Sequence, residues 1–162
     1  MKYCNDKVRR QDRLLDEADA VKLLRTAEYG VLSLCDEAGR PYGIPVNYVW
    51  DGRNSLYIHC APEGRKLNIL QGNDAVSFCI VGHTHLLPSR FTTEYESIVL
   101  TGTAATGLDD EEKHRALTLL LEKLSPADTV VGEKYAEKSF HRVDIIRLDI
   151  MEWSGKCKRV KG

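Results

Sequence analysis

The stretch Tyr57–Leu70, YIHCAPEGRKLNIL, holds the residues best placed to do chemistry. An apolar run ends in His59 and Cys60. Ala-Pro-Glu-Gly follows, then two adjacent cations, Arg65 and Lys66, where a helical pattern begins. A helix N-terminus leaves backbone N–H groups unpaired and carries partial positive charge, so anions collect there. Gly64 lets a ligand approach the main chain closely. An arginine fork matches phosphate oxygens. The stretch reads as a cradle for one phosphate, or, taken alone, as a solvated first helical turn. It lacks the glycine spacing of a triphosphate loop or a dinucleotide fold.

Other reactive side chains give less. Cys60 has no base at a suitable spacing and reads as inert packing. His59, at a strand end, reads as hydrogen-bonded structure or as a donor to a ligand. His83 and His85 form H-x-H, which strand alternation would aim to one face. A third ligand is not evident, so no metal site is expected. The run Asp109, Asp110, Glu111 and Glu112 reads as helix capping, and KCKRVKG at the end as a solvated tail.

The elements that must position these residues follow from periodicity. Residues 1–12 are polar and read as a mobile arm. Ala20, Leu23, Leu24 and Ala27 predict a helix over 16–28, stopped by Tyr29-Gly30. GVLSLCD, YGIPVNYVWD and SLYIHC then read as three strands of an antiparallel meander, joined by the turns of DEAGRP and DGRN. A short helix is expected over 65–71. AVSFCIVG is nearly all apolar and reads as a central strand, 83–94 as a long loop, and YESIVLTGTAATG as a strand. A helix over 109–124 carries the stripe Leu117, Leu120, Leu121 and Leu124, with Leu117 and Leu121 expected to dock it outside the strands. HRVDIIRLDIMEWSG reads as the last strand, with Val143 and Ile145 and, past a shift in phase, Leu148 and Ile150 in the core. About six short antiparallel strands with flanking helices predict a single domain, mainly β with α, built as a small closed barrel with helices outside.

The chain has 162 residues, 43% of them hydrophobic and 29% charged, enough for one core. A net charge of -1 argues against a nucleic-acid binder. No run of about 18 apolar residues predicts a membrane helix, and the N-terminus has no apolar leader core. Five scattered cysteines without a C-x-x-C pair fit reduced thiols, so a cytoplasmic location is expected.

Read together, PYGIPVNYV, CAPEGRK, NDAVSFCIVG, LPSRFTTEYES, GEKYAEKS and the closing SGK, after RRQDR and AEYGVLSL, resemble in order and spacing the flavin-binding split-barrel proteins related to pyridoxamine 5'-phosphate oxidase. Within them the sequence is most similar to the 5-nitroimidazole reductase-like branch. The resemblance implies a six-stranded antiparallel split β-barrel and a homodimer with FMN in clefts between the subunits. The FMN phosphate would sit on Arg65 and Lys66 beside Gly64. Pro45, Val46, Asn47 and Tyr48 would line the isoalloxazine ring, largely with main-chain groups. His59 and Cys60 would lie beside the flavin, Tyr95 and Ser97 at the ring or the dimer interface, and Trp153 over the site from the partner subunit. In the vitamin-producing oxidases the second strand carries basic residues and the C-terminus an Arg-rich substrate-phosphate site; here these read GIPVNYVW and EWSGKCKRVKG, which argues against pyridoxamine 5'-phosphate as substrate.

The function expected is an FMN-dependent oxidoreductase acting on small electron-poor aromatics such as 5-nitroimidazoles, with His59 as a candidate catalytic donor. The cofactor does the redox chemistry and the protein binds and orients. A flavin carrier or sensor without turnover needs the same site. Haem binding, as in some split-barrel relatives, would need an axial histidine from His59, His83 or His141.

Overall fold

The structure is a computed structural model and describes residues 1–160. Its first barrel strands follow the apolar alternation. Strand β2 (Tyr29–Cys35) buries Gly30, Leu32 and Leu34 and turns Tyr29 and Ser33 outward. Strand β3 (Pro41–Asn47) pairs with it antiparallel from Tyr29↔Asn47 to Cys35↔Pro41. The turn between them is held by Asp36, whose Oδ1 accepts from the amides of Ala38 and Arg40, and by Gly39 at φ 76°.

The expected second strand is two. The chain turns a corner at Tyr48, which is fully buried and donates its hydroxyl to the Leu24 carbonyl at 2.6 Å. Beyond the corner, β4 (Val49–Trp50) leaves β2 and pairs with β5 (Ser55–Cys60). The meander therefore forms in the expected order, bent where a buried phenol needed an acceptor.

The remaining strands are β6 (Ala75–Leu87), β7 (Thr92–Ala105), β8 (Asp144–Lys158) and the short β1 (Lys2–Tyr3). The sheet order is β3-β2-β6-β7-β8-β5-β4, with β1 parallel to β8. Because β3 and β4 are consecutive, the sheet rolls up into a barrel that stays split where β3 and β5 diverge. Helix α2 (Arg65–Gly72) begins at that split and buries Leu67, Ile69 and Leu70 in the core shared with Tyr42, Ile44 and Val46. Helix α1 (Glu17–Thr26), capped by the Asp16 carboxylate, closes one end with Ala20, Leu23 and Leu24.

Two expectations about the long strands are corrected. Residues 83–94 are not a loop: β6 and β7 continue as a two-stranded ladder to Leu87↔Thr92 around Pro88–Arg90, past a register shift between Val81 and Thr84. This arm leaves the barrel, so neither face is buried and its alternation vanishes. Ile145 and Ile146 are both fully buried without a change of phase. Ile146 points into the barrel, whereas Ile145 packs outward on Val49, Tyr57, Ala116 and Leu120.

Helix α3 (Asp110–Leu124) accounts for that second core. Asp109 caps it, accepting from the Glu112 amide at 2.8 Å. It docks through Ala116 and Leu120, with Leu117 half-buried beside them. Leu121 instead lies against Gly132 of α4 (Thr129–Ser139). That helix escaped the sequence reading because Val130, Val131 and Tyr135 are exposed and blur its period.

Both chain ends are more ordered than expected. In the arm of residues 1–12, Lys2 and Tyr3 pair with Glu152 and Trp153, and the Cys4 amide donates to the Trp153 carbonyl. In the tail, Lys156–Lys158 are paired with β7; residues 161–162 lie outside the described residues. No described helix is long and apolar enough to cross a membrane.

Candidate functional site

Strand β3 hydrogen-bonds to β2 along one edge and, among the described residues, to no strand along the other. Pro41 and Pro45 suit such an edge, since proline has no N–H to give a ladder. Pro45 and Asn47 are exposed while Val46 turns toward the core. Asn47 is fixed by donating its Nδ2 to the Glu28 carbonyl at 3.0 Å. Tyr48 offers only its main chain, because its ring is in the core and its hydroxyl is taken.

Across the split stands the end of β5. β4 pairs with β5 at Val49↔Tyr57 and Trp50↔Leu56, and His59 lies two residues past that ladder, on the side of the corner at Tyr48. His59 is exposed and Cys60 half-buried. Burial pushes the Cys60 thiol up; the positive charge of Lys66 opposes this and Asp144 adds to it. The thiol stays protonated near neutral pH, which suits packing rather than attack.

Four residues on, α2 starts. Gly64 has φ 135°, a conformation that side chains rarely adopt, and a Cβ there would meet nothing within 4 Å. No side chain caps the helix. Its first N–H groups therefore face open space beside Arg65 and Lys66, neither of which is in an ion pair among the described residues. The Arg65 guanidinium carbon lies 4.3 Å from the centre of the Tyr42 ring. That stacking fixes the guanidinium on β3.

The sequence reading missed the ground beyond Arg65. A hollow of about 390 Å³ is lined by Asp36, Glu37, Arg40, Arg65, Asn68 and Gly72. Arg40 is held to Asp36 at 2.8 Å, and Glu37 lies across Gly72, where a Cβ would come within 2.6 Å of its carboxyl carbon. Tyr42 was read only as part of a strand and not as a site residue; the hollow needs the turn and α2 together and has no local signal.

The other expected site residues lie elsewhere. Cross-strand pairing runs Pro45–Val31–Cys79–Val99, so β7 stands three inter-strand spacings from β3, about 14 Å. Tyr95 and Ser97 on β7 are thus remote from Arg65 and the β3 edge within one chain. Between the two groups spreads an outward apolar face of Tyr29, Val31, Cys79, Val81 and Val99, with Tyr29 59% and Val81 58% exposed.

Trp153 is corrected outright. It is 1% exposed, sits in this chain's own core and meets Tyr3 edge to face at 4.7 Å. It cannot reach over a site on another subunit.

His83 and His85 are 6.4 Å apart, and His85 Nδ1 lies 3.3 Å from Glu94 Oε2. Among the described residues no group of three or more His, Cys, Asp or Glu side chains is placed to hold a metal ion.

The donor set fits a flavin phosphate ester. It offers two unpaired cations at an uncapped helix start, with the unpaired edge of an extended strand beside them for a flat ring. Solved structures share this fold. A proposed 5-nitroimidazole antibiotic resistance protein of Bacteroides thetaiotaomicron is 21% identical, with TM-score 0.71 over 90% of this chain and 86% of that one. A conserved hypothetical protein of Mycobacterium tuberculosis is 17% identical, with TM-score 0.76 over 94% and 96%. An FAD and haem binding protein of Mycobacterium smegmatis is 20% identical, with TM-score 0.73 over 90% and 72%. No match is found among the curated proteins. The sequence profile of the pyridoxamine 5'-phosphate oxidase family matches residues 16–157, and the chain belongs to that family.

Proposed function

We propose that this chain binds FMN along the unpaired edge of β3 and uses it to reduce small, electron-poor aromatics such as 5-nitroimidazoles. The observation that carries this reading is the uncapped α2 start, where Gly64, Arg65 and Lys66 offer main-chain donors and two free charges to one phosphate. The ring would lie along Pro45–Asn47, in reach of His59 across the split. The flavin supplies the electrons. In this reading exposed His59 donates a hydrogen bond to a nitro or carbonyl oxygen as charge grows there. The Bacteroides and M. smegmatis structures support both a flavin and a nitroimidazole connection.

The protein acts as a two-fold homodimer in this reading. The apolar face between β2 and β7 would be buried by a second copy, which also brings Tyr95 and Ser97 to the partner's β3 edge. A monomer in sedimentation that still binds flavin stoichiometrically would refute it.

The hollow of about 390 Å³ beyond Arg65 favours a second reading, FAD in place of FMN, by its space alone, since Arg40 there is already paired with Asp36 and Glu37 stands beside them. The deciding experiment is the visible spectrum of the purified protein, with the mass of the ligand released on denaturation. FMN or FAD is read directly. A colourless protein that takes up neither flavin, or one with a Soret band alone, overturns the proposal. Oxidation of reduced nicotinamide by the flavin-loaded protein separates an enzyme from a carrier.

A further inference from the structure

We infer that Tyr42 is a positioning residue for the flavin phosphate: its ring seats the Arg65 guanidinium apart from the carboxylates nearby and keeps that charge free for the ligand. The inference rests on the flavin reading above.

Arg65 shares its hollow with two carboxylates, Asp36 and Glu37, the groups with which a guanidinium ordinarily pairs. Asp36 is already engaged. It holds Arg40 at 2.8 Å and accepts from the amides of Ala38 and Arg40. Glu37 is in no ion pair among the described residues, and its carboxyl lies along Gly72. Arg65 takes neither. Its guanidinium carbon sits over the Tyr42 ring, 4.3 Å from the centre.

The two kinds of partner leave different things behind. A carboxylate would neutralise the guanidinium and occupy its fork. An aromatic face attracts the charge through its quadrupole and uses none of the N–H donors, which lie in the plane of the guanidinium. Seated on Tyr42, Arg65 keeps both its charge and its donors for phosphate oxygens.

The seat is fixed by the fold. Tyr42 lies opposite Leu34 and Ile44 opposite Leu32, so the ring stands at a set place on β3. Together with Ile44 and Val46 it is half-buried against the barrel core. Arg65 is a long, exposed side chain in the first turn of α2. Left mobile, it would have to be ordered by the ligand at a cost in affinity; the ring orders it beforehand. Because Tyr42 and Pro45–Asn47 share one strand, the same backbone sets the phosphate end of the site and the ring end at a constant separation.

The test compares FMN with riboflavin in fluorescence-quenching titrations. Tyr42→Leu keeps an apolar side chain and removes the aromatic face. It is expected to weaken FMN about tenfold and to leave riboflavin unchanged. Tyr42→Phe keeps the face and loses the hydroxyl, and should bind FMN as the unaltered protein does. In an Arg65→Ala background Tyr42→Leu should cost nothing further, since the residue it positions is gone. Four results each overturn the inference while leaving the flavin site standing: unaltered FMN affinity in Tyr42→Leu, equal loss of both flavins with an unaltered urea midpoint, a loss in Tyr42→Phe as large as in Tyr42→Leu, or full additivity with Arg65→Ala. A second measurement does not depend on Tyr42→Leu folding. In NMR spectra of the FMN-loaded protein, the Arg65 side-chain protons, identified by their loss in Arg65→Ala, should be moved upfield by the Tyr42 ring current, and ordinary positions overturn the inference. Unaltered protein that binds neither flavin removes the flavin reading and this inference together.

Discussion

Two faces of the same barrel handle charge in opposite ways. Over β5 and β8, α3 seals the sheet with a closed polar network. Glu112 receives Arg147 Nη1 on both oxygens at 3.0 Å and the Tyr57 hydroxyl at 2.8 Å. Arg147 also reaches Asp149 at 3.0 Å, and Asp149 accepts from Ser55 Oγ at 2.8 Å. Partial burial works to raise the Glu112 carboxyl, but Tyr57 and Arg147 more than reverse it and hold it below the usual range. At the β3 edge the cations have no such partners. Arg65 rests on a ring and Lys66 faces a thiol. Charges that answer one another hold a helix down; charges left unanswered beside an uncapped helix are the ones the proposed phosphate would meet.

The contrast breaks most sharply at Arg65 and Lys66. Replacing both with Ala should weaken FMN about a hundredfold or more, at roughly 1.5–3 kcal/mol per charged contact. Riboflavin, without a phosphate, should be nearly unaffected. Titration of both ligands by fluorescence quenching reads the difference, and equal loss of the two would place the phosphate elsewhere. Denaturation midpoints should stay put, since both residues lie at a solvent-facing helix start.

Glu112→Ala should do the reverse. It strands Arg147, whose side chain is 30% exposed, and should cost about 2–3 kcal/mol in urea unfolding while leaving flavin affinity alone. The depressed carboxyl adds a sign. Its contribution is present above the ordinary glutamate value and is lost as pH falls through the folded value, so Glu112→Ala and the unaltered protein should converge in stability in acid.

His59→Ala sharpens the site's own division of labour. Flavin affinity should hold, because His59 faces the ring end. Turnover of a nitroaromatic acceptor should fall about tenfold in stopped-flow reoxidation.

The smallest effect concerns Lys123 on α3. Its Nζ is buried without a hydrogen-bond partner, 3.7 Å from the centre of the Tyr48 ring. Burial lowers its pKa from 10.5 to about 8, with Glu28 opposing. Between those values the unfolded chain holds more protons than the folded one, so stability should rise with pH across that window. Lys123→Met should stabilise the fold near neutral pH by about 1 kcal/mol, a figure already reduced for the solvent that reaches its stem. The gain should vanish above the ordinary lysine value.

The barrel was legible because its inward residues alternate against outward polar ones, as Leu32 and Leu34 do beside Ser33. The uncapped start of α2 with its two adjacent cations was legible because Gly64, Arg65 and Lys66 are contiguous. What failed had no local signature. The β6–β7 arm has two wet faces, so its ladder leaves no apolar period. Ile145 and Ile146 look like a slip of phase until α3 supplies a second core. Trp153, the farthest from Arg65 in sequence among the residues expected to meet the flavin, proved an interior side chain of the barrel. A large aromatic near a chain end looks the same in sequence whether it is kept or lent.

The placement of β8 governs how the protein is made. This strand alone joins β7 to β5, and β1 lies along it as well. During synthesis every earlier strand emerges before it, and β5 and β7 must wait with their pairing groups exposed. The barrel cannot close until the ribosome has released the residues up to Lys158, so closure follows the synthesis of every other barrel strand and is dominated by contacts far apart in sequence. Any cofactor waits for that last insertion too, because the split between β3 and β5 has no fixed width until β8 holds β5 in place.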